Sequence, residues 1–340
     1  MTETRAVTIA DVAALAGVSI GTVSKALNGR GQLRTQTRDR VLAAADQLGF
    51  SPSPLARSLL SGRSCTVGLI TTDSFGRFTI PVMLGAEDGL GKGEMSVLLC
   101  DGRGDAIREQ HYIRTLLSRK VDGIIVTGRR TDPRPPIAAA LPVPVVYVMT
   151  QSENPDEVSL IPDDLHGGEL AAAHLATSGR TRIAHVTGPE RFMCARLRAA
   201  GAQHVLDEAG LPLAAGRVYY GEWSEGWGRQ AAHTVLRAAP DTDAIFCGSD
   251  QIARGVSDAL RESGRRIPDD IALVGYDNWD VFATSSRPPL TTVDMCLTKL
   301  GQLAARKLLA QIDGEKLHGP EQLPCRLVIR ESTATTAPAT

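Results

Sequence analysis

Apolar residues recur at three- and four-residue spacing over Ile9, Val12, Ala13 and Ala16, and again over Val23, Ala26 and Leu27, with a break at Gly17. This spacing predicts two short helices. Gly17 suits the corner between them, because a chain leaving a helix there needs a positive φ and glycine supplies it without a Cβ clash. Thr8 stands where it can cap the first helix, with Asp11 three residues on completing a near capping box, and Ser19 stands where it can cap the second. Helix, glycine-bearing turn and capped helix is the helix-turn-helix plan, whose second helix enters the DNA major groove.

A third amphipathic helix follows in TQTRDRVLAAADQLGF, with Val41, Leu42, Ala45 and Leu48 on its inner side and Gly49 as its stop. In SPSPLARSLLSGRS, prolines and serines exclude a long helix but leave space for a short one over Leu55–Leu60. From Thr66 the rhythm changes. TVGLIT, MSVLLCD, DGIIVTG and VPVVYVM are continuous apolar runs of the kind produced by parallel strands covered on both faces, separated by helices expected at 81–92 and 106–119. The pattern repeats with helices at 168–178, 195–209, 226–238 and 251–263 between the strands RIAHVTG, VYYG, DAIFCGSD and IALVGYD. Two α/β units with parallel sheets are expected, and a ligand in such sheets sits beyond the carboxyl ends of the strands.

Composition is that of an ordinary globular protein, 43% hydrophobic and 22% charged, so charge adds information only through its distribution. Residues 1–63 hold eight basic against four acidic residues; this +4 leaves −5 for the remainder of a chain whose total is −1. A basic head on an acidic body suits a head that touches phosphate. The six cysteines, at 65, 100, 194, 247, 296 and 325, form no CxxC pair and are expected as free thiols in a reducing compartment. The N-terminal MTETRAVTIADV has no apolar export core, and no apolar run approaches the ~20 residues of a membrane span, so a cytoplasmic protein is expected.

The order of these parts, with ADVAALAGVSIGTVSKALNG, LGFSPSPLARSLLSG, GLITTD, DGIIVTG, RIAHVTGPE, SDQIARG, DIALVGYDN and PPLTTVD, closely resembles the lactose/galactose repressor family of bacterial transcription regulators from Val7 to about Ser332. The resemblance implies a helix-turn-helix headpiece over 1–50, a hinge helix or linker over 51–64, and a two-lobed, periplasmic-binding-protein-like α/β core over 65–340. Within that core an N-lobe is expected at about 65–162 and 292–322, and a C-lobe at about 163–291 and 323–335.

It also implies site residues. Ile20, Gly21 and Lys25 fall on one exposed face of the second helix and correspond to base-reading positions; lysine where relatives often carry arginine offers a point charge in place of a bidentate fork. Thr8, Ser19, Thr22, Ser24, Asn28 and Thr37 suit phosphate contacts, and Arg34, where relatives commonly have serine, adds another. Ala56, Arg57 and Leu59 resemble the hinge helix, with Leu59 as the leucine that wedges into the operator from the minor groove. For the effector, Arg198 matches an arginine that grips hydroxyls or carboxylates and Asp277 its acidic partner, while Trp223 aligns with an aromatic that stacks on a sugar ring. Phe75, Arg77 and Phe78 lie in the first strand-to-helix loop, and Thr127, Ser249 and Asp250 follow strands. Arg77 departs from the asparagine-proline-phenylalanine of many relatives and brings a charge suited to an anionic or uronic group. The plainer alternatives are a solvated helix face for the readers, linker packing for Leu59, a turn role for Asp277 and core packing for Trp223.

The expected protein is a homodimeric repressor of an approximately palindromic operator in double-stranded DNA, controlled by a small effector bound between the lobes. A sugar or sugar derivative is the first expectation for that effector; a purine or nucleoside, or a sugar-binding protein without DNA binding, are the alternatives. Neither GRGDA nor GKGEM fits a dinucleotide or Walker loop, there is no nucleophile elbow or HExxH, and the seven histidines lack metal spacing, so no enzyme, cofactor or metal is expected. His111, His166, His185 and His204 read as surface or strand-end residues.

Overall fold

Thr8 opens the first helix by donating both its amide (2.8 Å) and its hydroxyl (2.7 Å) to the Asp11 carboxylate. In the computed structural model, which describes residues 7–27, 33–50, 63–91 and 95–334, the chain divides into two units, Met1–Cys65 and Thr66–Thr340. In the first unit, α1 (Ile9–Ala16) stops at Gly17, whose φ is 64°, and the chain turns by 101° into α2 (Ile20–Leu27). Ser19 Oγ accepts the Thr22 amide at 3.2 Å and caps α2. Helix α3 (Thr35–Leu48) ends at Gly49 with φ 62°. Val12, Ala13, Ala16, Val23, Ala26, Val41, Ala44 and Ala45 make the core. Leu42, expected inside, is 41% exposed, because the inward stripe of α3 runs through Val41, Ala44 and Ala45 and leaves position 42 to one side.

The second unit holds two six-stranded sheets. The first contains β1 (Thr66–Thr71), β2 (Ser96–Asp101), β3 (Gly123–Thr127), β5 (Val145–Val148), β7 (Val158–Pro162) and β13 (Pro320–Leu323), in the order β13-β7-β5-β3-β1-β2. A two-stranded ribbon of β4 (Pro133–Arg134) and β6 (Gln151–Ser152) is formed by segments on either side of β5 in sequence. The second contains β8 (Ile183–Thr187), β9 (Val218–Tyr220), β10 (Ala244–Cys247), β11 (Ala272–Tyr276), β12 (Thr291–Asp294) and β14 (Arg326–Val328), in the order β14-β12-β11-β10-β8-β9. Every pairing in both sheets is parallel except β12 with β14. Strand β2, expected to be covered on both faces, lies at a sheet edge, and its Leu99 is 50% exposed.

The chain passes between the sheets three times: after β7, after β12 and between β13 and β14. Because Thr291–Asp294 pair in the second sheet, the return to the first lobe falls after Asp294 rather than at 292. The helices are α4 (Thr79–Leu90), α5 (Ala106–Ser118), α6 (Asp164–Thr177), α7 (Met193–Glu208), α8 (Glu225–Ala238), α9 (Asp250–Glu262), α10 (Asp280–Ala283) and α11 (Leu297–Ile312). Three pairs of them cross through reciprocal glycines: Gly85 with Gly301, Gly168 with Gly201, and Gly228 with Gly255. At each, an added Cβ would meet facing backbone at 2.2 Å or less, so the helix axes approach closer than any side chain allows.

Candidate functional site

Helix α2 turns Val23 and Ala26 into the core and leaves Ile20, Gly21 and Lys25 exposed on the opposite side, with Ile20 52% exposed. That face is short of hydrogen-bonding groups. Ser19 and Thr22 hydroxyls lie 3.0 Å apart within the cap, Thr8 is engaged by Asp11, and Ser24 and Thr37 are half-buried. Arg34 precedes α3, with its side chain exposed and its carbonyl accepting the amides of Thr37 and Arg38. Asn28, Ala56, Arg57 and Leu59 lie outside the described residues.

In the second unit, a cleft of about 570 Å³ opens at the carboxyl ends of strands from both sheets. The first sheet contributes Asp73, Phe75, Arg77 and Phe78 after β1, Arg129–Thr131 after β3 and Met149 after β5. From the second come Arg191, Phe192, Cys194 and Arg198, then Glu222 and Trp223 after β9, Ser249 and Gln251 at α9, and Asp277 and Trp279 after β11.

Arg77 crosses this cleft to pair with Asp277. Its guanidinium carbon lies 4.6 Å from the Trp279 ring centre and 4.9 Å from that of Phe78, and burial pushes its pKa down to about 10. Asp277 also has Arg198 Nη1 at 4.0 Å. Arg198, at the inner end, donates Nε to Asp164 (2.8 Å) and Nη1 to the Gly248 carbonyl (2.7 Å), and its guanidinium carbon stands 3.6 Å from the Tyr276 ring centre. Burial alone would lower the pKa of Arg198, but the adjacent Asp164 carboxylate more than offsets this and holds it above the ordinary value. Trp223 packs its ring on the bare backbone of Gly188, with Arg198 5.8 Å from the ring centre.

Two expected site residues stand behind the wall. Thr127 is still paired in the sheet interior, to Thr71 on one side and Val148 on the other, so it is buried before the chain opens at Arg129. Asp250 is fully buried and accepts the Trp279 amide (2.7 Å) and the Thr292 hydroxyl (2.6 Å). It therefore fixes the loop after β11, where Asp277 (φ 106°) and Asn278 (φ 51°) occupy a conformation non-glycine residues seldom adopt. Arg330 completes the brace by donating to Asn278 Oδ1 at 2.8 Å. Phe75 sits at the rim, 88% exposed, and Ser249 lines the cleft while capping α9. His185 is a core residue rather than a strand-end one: it stacks on Phe246 at 4.4 Å, and burial lowers its pKa to about 4.

Several participants carry little signal in the sequence. Asp164 gathers Arg198, Tyr276 OH (3.1 Å) and, from the first lobe, Thr131 Oγ1 (3.1 Å). Its one local sign is a carboxylate soon after the buried run VSLIP, obscured by the glycines that follow. Trp279, two residues past Asp277, and the arginines at 129, 130 and 191 likewise sit just beyond strand ends.

Comparison with known proteins decides the family. Residues 8–53 match the model for bacterial regulatory proteins of the lacI family, and residues 172–333 match that for a periplasmic binding protein-like domain. The HTH-type transcriptional regulator CelR of Thermobifida fusca is 34% identical over 98% of this chain and 100% of its own length. The chain belongs to the lacI family of bacterial regulatory proteins. This lacI-family chain is also 34% identical to the ribose operon repressor of Escherichia coli K12, over 90% of the chain and 93% of that repressor. Among solved structures, the lac repressor dimer bound to operator and the anti-inducer ONPF matches with TM-score 0.73 and 30% identity, covering 97% of this chain and all of that one. The CelR–cellobiose complex matches with TM-score 0.66 and 31% identity, over 96% and 100%. A DNA-binding transcriptional regulator, not an enzyme, is what family membership makes of the helix-turn-helix head and the two-lobed body. Among the described residues, no single helix is long and apolar enough to cross a membrane.

Proposed function

We propose that this regulator is a cytoplasmic homodimeric repressor whose hold on an approximately palindromic operator is set by a small hydroxylated ligand, a sugar or sugar derivative, bound between the lobes. The observation that carries the reading is the cluster of Arg77, Asp277 and Arg198 at the centre of a cleft walled by Trp223, Trp279 and Phe78. Charged hydrogen-bonding groups between aromatic faces suit a polyhydroxylated ring, which needs many directional partners and an apolar face to stack on. A ligand that makes more contacts in one lobe arrangement than in another biases the first; a ~100-fold difference in affinity corresponds to ~2.7 kcal/mol of coupling to the DNA-binding state. Ile20, Gly21 and Lys25 are the proposed readers in each half-site. Cytoplasmic location is proposed from operator binding itself.

A purine is the second reading, favoured by two tryptophans lining one cleft; the chain is also 32% identical to the HTH-type transcriptional repressor PurR of Aliivibrio salmonicida, over 90% of this chain and 92% of that repressor. Mobility-shift titration of the full-length protein on DNA flanking its own coding region, with sugars, sugar acids and purines added in turn, tests both. A sequence-specific complex whose midpoint moves with one ligand class, and ceases to move in Arg198→Ala, supports the reading. A complex that no cleft ligand shifts, or a response retained in Arg198→Ala, refutes it.

A further inference from the structure

Five arginines line the cleft against three carboxylates, and their pairing is uneven. Arg77 is committed to Asp277 and Arg198 to Asp164. Asp73 is occupied within its own loop, accepting the amides of Phe78 (2.7 Å) and Thr79 (3.1 Å). Arg129, Arg130 and Arg191 remain, exposed at the rim and without an ion pair among the described residues; Glu222, the third carboxylate, forms no ion pair with them either. Arg130 follows β3 of the first sheet and Arg191 follows β8 of the second, yet their guanidinium carbons lie 4.2 and 4.6 Å from the centre of the same Phe192 ring. Phe192 is buried, so its ring anchors both guanidinium groups at the mouth of the cleft.

Like charges held on one ring from opposite lobes repel. An anion bonded to these groups offsets the repulsion, and guanidinium–oxyanion bonds are among the stronger hydrogen bonds proteins make. We propose that the effector is an anionic polyol: a sugar bearing a carboxylate or phosphate group, whose charge is held by Arg130 and Arg191 across the mouth of the cleft with Arg129 beside them. Its hydroxyls then face the deeper Arg77, Asp277 and Arg198. The inference rests on the reading that the effector occupies this cleft, and it narrows the ligand class.

Calorimetric titration of the full-length protein at matched ionic strength, with glucuronate, gluconate, glucose 6-phosphate, inorganic phosphate, glucose, cellobiose and adenine as probes, provides the test. The expected result is saturable binding of at least one sugar anion, weakened about tenfold or more, ~1.4 kcal/mol, in Arg130→Gln and in Arg191→Gln. Glucuronate and glucose 6-phosphate separate carboxylate from phosphate. The proposal is overturned if no sugar anion binds, if inorganic phosphate binds as tightly as every sugar anion, if a neutral probe or adenine binds more tightly than all of them, or if both variants retain wild-type affinity. Operator binding measured alongside keeps the two readings apart. A neutral sugar that moves the operator midpoint removes the anion and leaves cleft control standing, whereas an anion lost in both variants that leaves the midpoint unmoved does the reverse. Both arginines are exposed, and the melting temperature of each variant without ligand checks that it folds.

Discussion

Arg77 and Asp277 form an ion pair that spans the cleft, tying the loop after β1 of the first sheet to the loop after β11 of the second. Their side chains are 14% and 5% exposed, so the pair is little screened by solvent. A ligand that takes Arg77 Nη2 or Asp277 Oδ2 replaces this contact between the lobes, whereas Arg77 Nε, buried without a hydrogen-bond partner, can donate to a ligand acceptor with the pair intact.

Removing one partner tests that linkage. Arg77→Met leaves Asp277 buried with Arg198 at 4.0 Å as its remaining counter-charge. The expected loss of stability is about 2–4 kcal/mol, somewhat under the usual cost of breaking a buried pair because Arg198 persists. Asp277→Asn in the same chain, which removes the charge and tolerates the positive φ of this position, recovers part of that loss. Denaturant melts of the two single variants and the double variant check this, and strictly additive losses would mean that the pair is not coupled.

Asp164 binds both lobes to the inner arginine, accepting from Thr131 on one side and from Arg198 and Tyr276 on the other. Asp164→Asn keeps the size of the side chain but leaves the buried Arg198 guanidinium without its closest negative charge. A loss of about 3–5 kcal/mol is expected, partly restored by adding Arg198→Met. Chemical denaturation is the measurement, and a near-neutral Asp164→Asn would refute the account.

What the sequence displays is governed by distance along the chain. Gly17, Ser19 and the Thr8–Asp11 pair are legible because each bond closes within a few residues. The first helix of the second lobe reads from its pattern as beginning at Gly168 but begins at Asp164, because Gly167 and Gly168 look like a boundary. They serve packing instead. Gly168 admits the Arg198 backbone and Gly167 lies under the Tyr276 hydroxyl. Arg198 and Asp277 are legible through family resemblance, while Asp164, 34 positions from its arginine, and Asp250, 29 from the amide it holds, depend on contacts that no local pattern encodes.

The glycine crossing beneath Arg198 is itself testable. A Cβ at position 168 would lie 2.2 Å from the Arg198 carbonyl oxygen, and one at 201 would lie 2.0 Å from that of Leu165. Both contacts are with backbone, so relief requires α6 and α7 to separate. Gly168→Ala is expected to destabilise by about 1–3 kcal/mol and to weaken ligand binding, since Arg198 moves with α7. Gly226→Ala, where the nearest atom outside the local backbone is 3.9 Å away, serves as the control and is expected to be close to neutral.

On the DNA side, Lys25 is the one charged group among the three proposed readers. Lys25→Ala is expected to weaken operator binding by about 1–3 kcal/mol and to narrow the gap between operator and unrelated DNA. Arg34→Ser, by contrast, should weaken both by a similar factor and flatten the salt dependence by about one counter-ion, as the loss of a phosphate contact does. Mobility shifts across a salt series distinguish the two, and equal losses on both DNAs in Lys25→Ala would remove it from the readers.

Asp250 gives the fold a pH dependence with a definite sign. Burial raises its pKa from 3.8 to about 7, against the lowering pull of its bonds from Thr292 and the Trp279 amide. The folded state thus holds a proton that the unfolded chain releases near pH 4, and the stability from this site is full below that value and lost as pH rises through about 7. The slope is at most about 1.4 kcal/mol per pH unit. His185 works in the opposite direction: with its pKa lowered by burial from 6.5 to about 4, its contribution is lost as pH falls through that window. Because the two partly cancel, the wild-type profile alone conceals both. Asp250→Asn isolates one, since its amide can donate to Thr292 and its carbonyl can accept from Trp279 at every pH. The variant should therefore gain stability relative to wild type as pH is raised from about 5 to about 8, read as the difference between paired denaturant melts; a difference independent of pH would show that Asp250 is ionised in the folded chain throughout.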